Sequence, residues 1–366
     1  MQWHEGLEMS RFKILEIGSY PPPFSGWSVR IKYIRDAFRE TGDLCEVLNL
    51  GKNRRIKSPE YIDVQGGRHY LKSLLRMRLK GYSFHIHINA QAVKGPILGL
   101  MAHLISLLTF SRAALTFHGG LQQLYYPKQN GGKMYPVIWL NFFLASLIIC
   151  NDEAIKSEIA QYGPLIKEKK IHPIPAFSKQ YLRYEALPLA EEIETFVQKK
   201  KSLIVSYIVL RNGFYIETLL DFLADLNEDI GVILTGIGVI EDGEVSDLYQ
   251  KLRDFEKRGR IHLSKSLNHN EFLSLLSRAD IYLRTPTSDG VASSVLEALS
   301  VGTQVVASEN GRRPEGVIPY SATDAKDMRE KVDYVLNHIV TLNKALVPPE
   351  VDDTVKTETM LLKKVF

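Results

Sequence analysis

At 366 residues the chain is longer than one ordinary hydrophobic core organises, so two domains are expected. With 45% hydrophobic and 24% charged residues it falls in the range of soluble globular proteins, which excludes a disordered or fibrous chain. The net charge of +4 hides an asymmetry: residues 1–180 hold 24 Lys and Arg against 13 Asp and Glu, an excess of 11, whereas residues 181–366 hold 22 against 29, a deficit of 7. A basic half points to an anionic partner such as a phosphate, a lipid headgroup or a nucleic acid.

In chain order, short apolar strands are expected at residues 12–17, 46–50, 84–88, 114–117, 147–150 and 171–174. Amphipathic helices fall between them at 28–40, 70–80, 96–108, 135–145 and 152–161. Alternation of this kind predicts a parallel sheet covered on both faces. Residues 178–201, with a proline and mixed charges, read as a connector. A second alternation follows, with strands at 203–207, 231–235, 261–263, 281–283 and 304–307. Its helices are expected at 216–226, 245–258, 271–279 and 292–301, and Asn268 with Glu271 has capping-box spacing. Pro348 and Pro349 end the block, and 353–366 reads as one more helix.

The uncharged stretches 95–111 and 134–151 each read as a helix followed by a strand rather than as a membrane span. Cys45 and Cys150 fall in buried strands, and residues 1–11 show no apolar run ahead of a cleavage site, so a cytoplasmic protein is expected. Basic residues are not interleaved with aromatics in the manner of a nucleic-acid surface, so no nucleic-acid partner is expected. No cluster of His, Cys or Asp shows metal-ligand spacing along the sequence, and no metal or other cofactor is expected.

The most informative stretch is 281–301, IYLRTPTSDGVASSVLEALSV. A strand ends in Arg284, a Thr/Pro/Ser loop leads to Asp289 and Gly290, and a helix opens at small residues. The free N–H groups of such a helix start can hold phosphate oxygens, and Gly290, Ala292, Ser293 and Ser294 let a ligand approach the backbone. Asp289 and Glu297 stand eight positions apart, roughly on one side of a ligand. Without further context they read equally well as a helix cap and a solvated helix residue.

Here the chain resembles the retaining GT-B glycosyltransferases of family four, of the kind that assemble bacterial polysaccharides. Their signature is two acidic residues separated by seven others, matched by Asp289 and Glu297. FKILEIGSYPPPFSGWSVRIKYI, LTFHGG, IICNDEAIKSEI, KIHPIPAF, GVILTGIG and LEALSVGTQVVASENGRRPEGV are similar to the family's other segments. The resemblance implies two doubly wound Rossmann-like domains facing across a cleft. Residues 1–178 would form the acceptor side and 179–348 the donor side, with a helix in 349–366 returning to the first domain.

It also implies roles. Glu297 would hold the nucleotide ribose, while Asp289, with the amides of Gly290, Val291 and Ala292 and with Ser293, would address the sugar and diphosphate. His118 would face the sugar, and Gly26 would admit the acceptor and donor phosphates. Two departures stand out: Trp27 replaces the commoner second glycine, and the usual arginine–lysine pair is missing from VSYIVLRNGFY, where Tyr207 and Asn212 stand. Arg211 or Arg284 would supply that charge. The activity implied is transfer from a nucleotide sugar, UDP- rather than GDP-linked, to a glycan or lipid-linked acceptor, with retention and without a metal. A catalytically inactive GT-B binding subunit and a GT-B-fold sugar-nucleotide epimerase are the alternatives. A dinucleotide oxidoreductase fits poorly, since Gly236 and Gly238 lack the third glycine at position 241.

The segment YLKSLLRMRLKGY mixes Lys72, Arg76, Arg78 and Lys80 with Leu71, Leu74, Leu75, Met77 and Leu79. It reads either as an ordinary cover helix or as one that lies weakly on an anionic membrane at its inner face, meeting a phosphate-bearing lipid.

Overall fold

The computed structural model describes residues 11–22, 26–121, 123–210, 213–237, 246–265, 267–287 and 292–366. The chain divides into two compact units: one runs to Gln180 and includes Asp352–Phe366, and the other is Tyr181–Val351.

In the first unit six strands, β1 (Lys13–Gly18), β2 (Leu44–Asn49), β3 (Ser83–Ile88), β4 (Ala114–Phe117), β5 (Ile148–Cys150) and β6 (Ile171–Pro173), form one sheet. Its order is β2-β1-β3-β4-β5-β6, with every neighbouring pair parallel. Helices α1 (Gly26–Glu40), α2 (Gly67–Leu79), α3 (Lys94–Leu108), α4 (Tyr135–Leu144) and α5 (Glu153–Ala160) make the crossovers. Strand side chains alternate between faces. Leu15 and Ile17 join Leu74 and Ala102 in one apolar cluster, while Ile14 joins Ile34 and Phe38 in another. Glu16 shares the period of Ile14 and so falls on the α1 face.

The second unit repeats the plan with β7 (Ser202–Tyr207), β8 (Ile230–Thr235), β9 (Ile261–Leu263), β10 (Ile281–Arg284), β11 (Gln304–Ser308) and β12 (Val317–Tyr320). The order is β12-β11-β10-β7-β8-β9, again all parallel. Its helices are α6 (Glu191–Val197), α7 (Ile216–Ala224), α8 (Ser246–Lys257), α9 (His269–Leu276), α10 (Ser293–Ser300) and α11 (Ala325–Ala345). The expected capping box closes α9: Asn268 Oδ1 accepts from the Glu271 amide at 3.0 Å, and Glu271 Oε2 accepts from the Asn268 amide at 2.8 Å. The expected α/β class, two doubly wound parallel sheets, is what the chain forms.

Three elements escape the sequence reading. α6 lies inside the expected connector and buries only Ile193. β12 contains Pro319, which cannot donate to a ladder and marks an edge strand. α11 is 21 residues long yet buries only Met328, Val332 and Val335, so its apolar stripe is thin.

The last helix, α12 (Thr354–Val365), packs in the first unit. Val355 and Leu362 join the α1-face cluster with Ile14 and Phe38. Arg30 of α1 and Glu358 of α12 form an ion pair at 2.7 Å with side chains 1% and 0% exposed. Among the described residues no helix is long and apolar enough to cross a membrane.

Candidate functional site

In open parallel sheets ligands collect at the carboxyl ends of strands where the winding direction reverses. In the second unit that point lies between β7 and β10. Arg284 ends β10 there, with its guanidinium 5.6 Å from the centre of the Phe214 ring and Nη1 3.5 Å from the Tyr207 carbonyl. The following loop is pinned from the far side. Ser308 Oγ donates to the Pro286 carbonyl at 2.8 Å, and Arg313 Nη2 donates to the same carbonyl at 2.6 Å. Thr287 Oγ1 is 2.9 Å from the Tyr215 hydroxyl. Sequence reasoning missed Arg313, which the motif shows only as one of two arginines before Pro314.

The helix start that follows is built as anticipated. Ala292 is the extended N-cap residue of α10, half-buried Ser293 opens the helix, and Ser294 Oγ accepts from the Tyr282 hydroxyl at 2.7 Å. Glu297 sits on the same helix and is buried. Burial raises its carboxyl from the usual 4.5 to about 8. Among the described residues His269 Nδ1 stands 3.9 Å from Glu297 Oε1, too far to hydrogen-bond. The other His269 nitrogen, Nε2, is 2.6 Å from the Tyr181 carbonyl, to which it donates. Glu297 is therefore a buried acid that keeps its proton near neutral pH and would ionise more readily with a donor at its oxygens. The remaining expected residues of this half, Arg211, Asp289, Gly290 and Val291, lie outside the described residues.

The first unit holds the other candidates. Gly26 is the exposed first residue of α1, and a Cβ there would meet nothing within 4 Å, so packing does not require glycine. His118 follows β4 and is 7% exposed. Its amide donates to the Ile88 carbonyl at 2.7 Å, and its carbonyl accepts from Gln123 Nε2 at 3.0 Å. Gly119, at φ +123°, leaves room for this clamp, because a Cβ would lie 1.5 Å from Gln123 Nε2. His118 lines an open cavity of about 290 Å³ with Asn89, Gln91, Gly119, Gly120 and Gln123. Trp27 lies parallel to its ring, centroids 4.8 Å apart at 16°. Gly18 permits that approach, since a Cβ there would stand 3.1 Å from Trp27 Nε1 and 3.0 Å from His87 Cβ.

Behind His118 runs a buried polar chain that sequence reasoning did not find. His118 Nε2 is 2.8 Å from His87 Nδ1, and His87 Nε2 is 2.6 Å from Glu16 Oε2. His85 Nδ1 reaches the same Oε2 at 2.8 Å. His85 Nε2 is 2.8 Å from Thr116 Oγ1, which is 3.0 Å from Glu358 Oε1. The parallel register aligns Glu16 with His85 and His87 with Thr116, so all project from one face of the sheet. Burial opposes ionisation of Glu16, but the charge of His85 and the hydrogen bonds from both histidines outweigh it and hold the carboxyl below its usual range. Burial, then His85, holds His87 well below the usual imidazole range; burial, then Arg30 and His85, does the same for His118.

Glu16, His85 and His87 are of types that bind metals, and strand register brings them together although the sequence separates them. Their contacts through one oxygen, at 2.6 and 2.8 Å, are hydrogen-bond distances. Ligands held at about 2.0–2.1 Å around a tetrahedral ion would stand roughly 3.3 Å apart. At these separations the three side chains are hydrogen-bonded to one another.

Residues 190–344 match the family described as Glycosyl transferases group 1. No curated protein matches the chain. Among solved structures it is similar to Anabaena Alr3699/HepE in complex with UDP-glucose, at 15% identity over 96% of this chain and 99% of that one, with a TM-score of 0.70. It is also similar to sucrose-phosphate synthase from Thermosynechococcus elongatus (15% identity, 97% and 99% covered, TM-score 0.64). S. aureus MnaA, solved with UDP, resembles it at 13% identity over 96% of each chain, with a TM-score of 0.63. These likenesses establish the fold. Residues 190–344 form a glycosyl transferases group 1 domain, within a chain of the GT-B fold.

Proposed function

We propose that the protein is a glycosyltransferase that moves a sugar from a nucleotide-sugar donor, UDP-linked rather than GDP-linked, to a glycan or lipid-linked acceptor with retention of configuration. The observation that carries this reading is the buried carboxyl of Glu297, on the helix that opens beside the β7–β10 reversal and inside the family match. Glu297 would take the two ribose hydroxyls, and the amides of Gly290, Val291 and Ala292 the diphosphate oxygens. Asp289 would take hydroxyls of the sugar, and Ser293 would line the approach. Arg284 and Arg211 would meet the charge of the departing diphosphate. The bond from the anomeric carbon to the phosphate oxygen breaks, and a bond to the acceptor oxygen forms on the same face. The acceptor's proton passes to the leaving phosphate, so the step requires neither a side-chain base nor a metal. The UDP-bound state of the similar Anabaena and S. aureus proteins supports the choice of base.

Nucleotide release from a panel of UDP- and GDP-sugars, with and without acceptor glycans and lipid phosphates, tests the reading. Absence of turnover with every pair would refute it, and conversion of the free donor sugar without acceptor would identify an epimerase.

The basic first unit supports contact with an anionic membrane at the lipid-linked acceptor. On α2 after Gly67 the exposed residues are Arg68, Leu71, Lys72, Leu75, Arg76 and Leu79, a mixed apolar and basic stripe continued by Lys80. Leu74 and Met77 turn inward instead. So does Arg78, which donates to Thr109 Oγ1 at 3.1 Å and to the Tyr82 carbonyl, and lies 5.7 Å from the Phe84 ring centre. Exposed Leu104, Leu107, Leu108 and Phe110, at the end of α3 to which Arg78 is tied, enlarge the apolar surface.

A further inference from the structure

We propose that Glu16, acting through His87, is a positioning residue that fixes which nitrogen of His118 carries the proton, leaving Nδ1 as the atom that accepts a hydrogen bond from a substrate hydroxyl. This rests on the glycosyltransferase reading and deepens it.

The argument is one of hydrogen-bond polarity. Glu16 Oε2 can only accept when ionised, so His87 Nε2, 2.6 Å away, must bear a proton. With Nε2 protonated, a neutral His87 has only a lone pair at Nδ1. That lone pair meets His118 Nε2 at 2.8 Å, so the proton of this contact belongs to His118. A neutral His118 then presents a lone pair at Nδ1. Each protonation is dictated by its neighbour, starting from a carboxylate 0% exposed.

The rings are held to this arrangement. His87 and His118 are inclined by only 22°, close to the common plane an N–H···N bond prefers. Trp27 covers one face of His118, and the Gln123 clamp fixes its backbone, so the ring cannot turn over without breaking several contacts. Glu16 itself is anchored by His85 Nδ1 at 2.8 Å. Burial and neighbouring positive charge keep His118 neutral. The consequence for recognition is directional: in the cavity His118 lines, a sugar hydroxyl can donate to Nδ1, whereas a phosphate or carboxylate oxygen finds a lone pair.

The decisive measurement is the tautomer itself. In protein labelled with ¹⁵N at its histidines, long-range ¹H–¹⁵N spectra separate protonated from bare ring nitrogens, and replacement of His118 identifies its signals. His118 should show Nε2–H and a bare Nδ1; an Nδ1–H His118 in the unaltered protein overturns the proposal, whatever the activity. Glu16→Leu, which removes the acceptor, should release His87 and give His118 a mixture of both forms. Transfer should fall roughly 10–100-fold in kcat/KM, as expected for loss of a buried, charge-assisted contact. Glu16→Gln keeps a carbonyl oxygen to accept from His87 and should preserve the tautomer. His87→Phe offers a second break in the chain if Glu16→Leu does not fold. Unchanged His118 signals in both breaking variants would show that Glu16 has only a packing role. The spectra require no turnover, so failure of the glycosyltransferase reading and failure of this one are distinguished.

Discussion

Glu297→Gln should remove a pH dependence of folding that the unaltered protein carries. The carboxyl sits near 4.5 in an unfolded chain and near 8 when buried, so between those pH values the folded state holds a proton that the unfolded state has lost. Stability therefore falls as pH rises through this window, by about 1.4 kcal/mol per pH unit, or about 5 kcal/mol across it. Glutamine has nearly the same volume and no charge, so the variant should match the parent near pH 5 and exceed it near pH 8.5. The three tryptophans, Trp3, Trp27 and Trp139, all precede residue 181, so indole fluorescence does not report on the second unit. Amide hydrogen exchange in β7, β8 and β10 does. Ribose hydroxyls donating to Glu297 favour its ionised form, so UDP affinity should fall about fivefold from pH 8 to pH 7 in the parent and stay flat in the variant. Parallel pH profiles for parent and variant, in exchange and in UDP titration, would refute the reasoning.

Arg284→Ala should weaken UDP binding or slow turnover by about 10–100-fold, and Arg211→Ala likewise if the two arginines share the diphosphate; calorimetry with UDP that registers neither change would point to a binding subunit without activity. Asp289→Ala should lower transfer by roughly 10²–10³-fold while leaving thermal unfolding unchanged, and wild-type turnover would remove it from the site. Transfer should survive EDTA; its complete loss, restored by a divalent ion, would show that a metal meets the leaving group. Flotation with anionic liposomes should be weak and salt-sensitive, since each basic residue near the surface contributes only about 1 kcal/mol, and equal indifference to anionic and neutral liposomes would favour a soluble acceptor.

The fold was legible because parallel strands buried on both faces write themselves as short apolar runs between helices. Glu297 and Arg284 were legible for a related reason: local sequence alone puts one at a strand end and the other on the helix that opens after it. The chain from His118 to Glu358 was not, because its members come from β1, β3, β4 and α12 and meet only through strand register and the docking of the last helix. One local signal existed. FHIHI alternates histidine with isoleucine inside an otherwise buried strand, a pattern that demands polar partners on one face. Arg78 shows the opposite failing: helical spacing cannot say that a basic residue between exposed leucines folds back onto the end of the next helix.

The buried pair of Arg30 and Glu358 calls for an account other than stability. Val355 and Leu362 already seal α12 onto α1 and the sheet with apolar surface. Adding two fully buried charges to such a contact costs desolvation that their mutual attraction only roughly recovers, and apolar side chains of similar size commonly do as well. What an apolar pair cannot supply is a carboxylate at Thr116. Glu358 Oε1 accepts at 3.0 Å from the hydroxyl that stands 2.8 Å from His85 Nε2, and His85 in turn holds Glu16. The end of the chain thus reaches the histidine cluster through polar contacts rather than packing alone. Glu358→Leu, made together with Arg30→Met to avoid stranding a charge, should leave the fold close to its original stability. It should still disturb the ring-nitrogen signals of His85 and His87. Large destabilisation with undisturbed histidine signals would mean that the pair serves attachment alone.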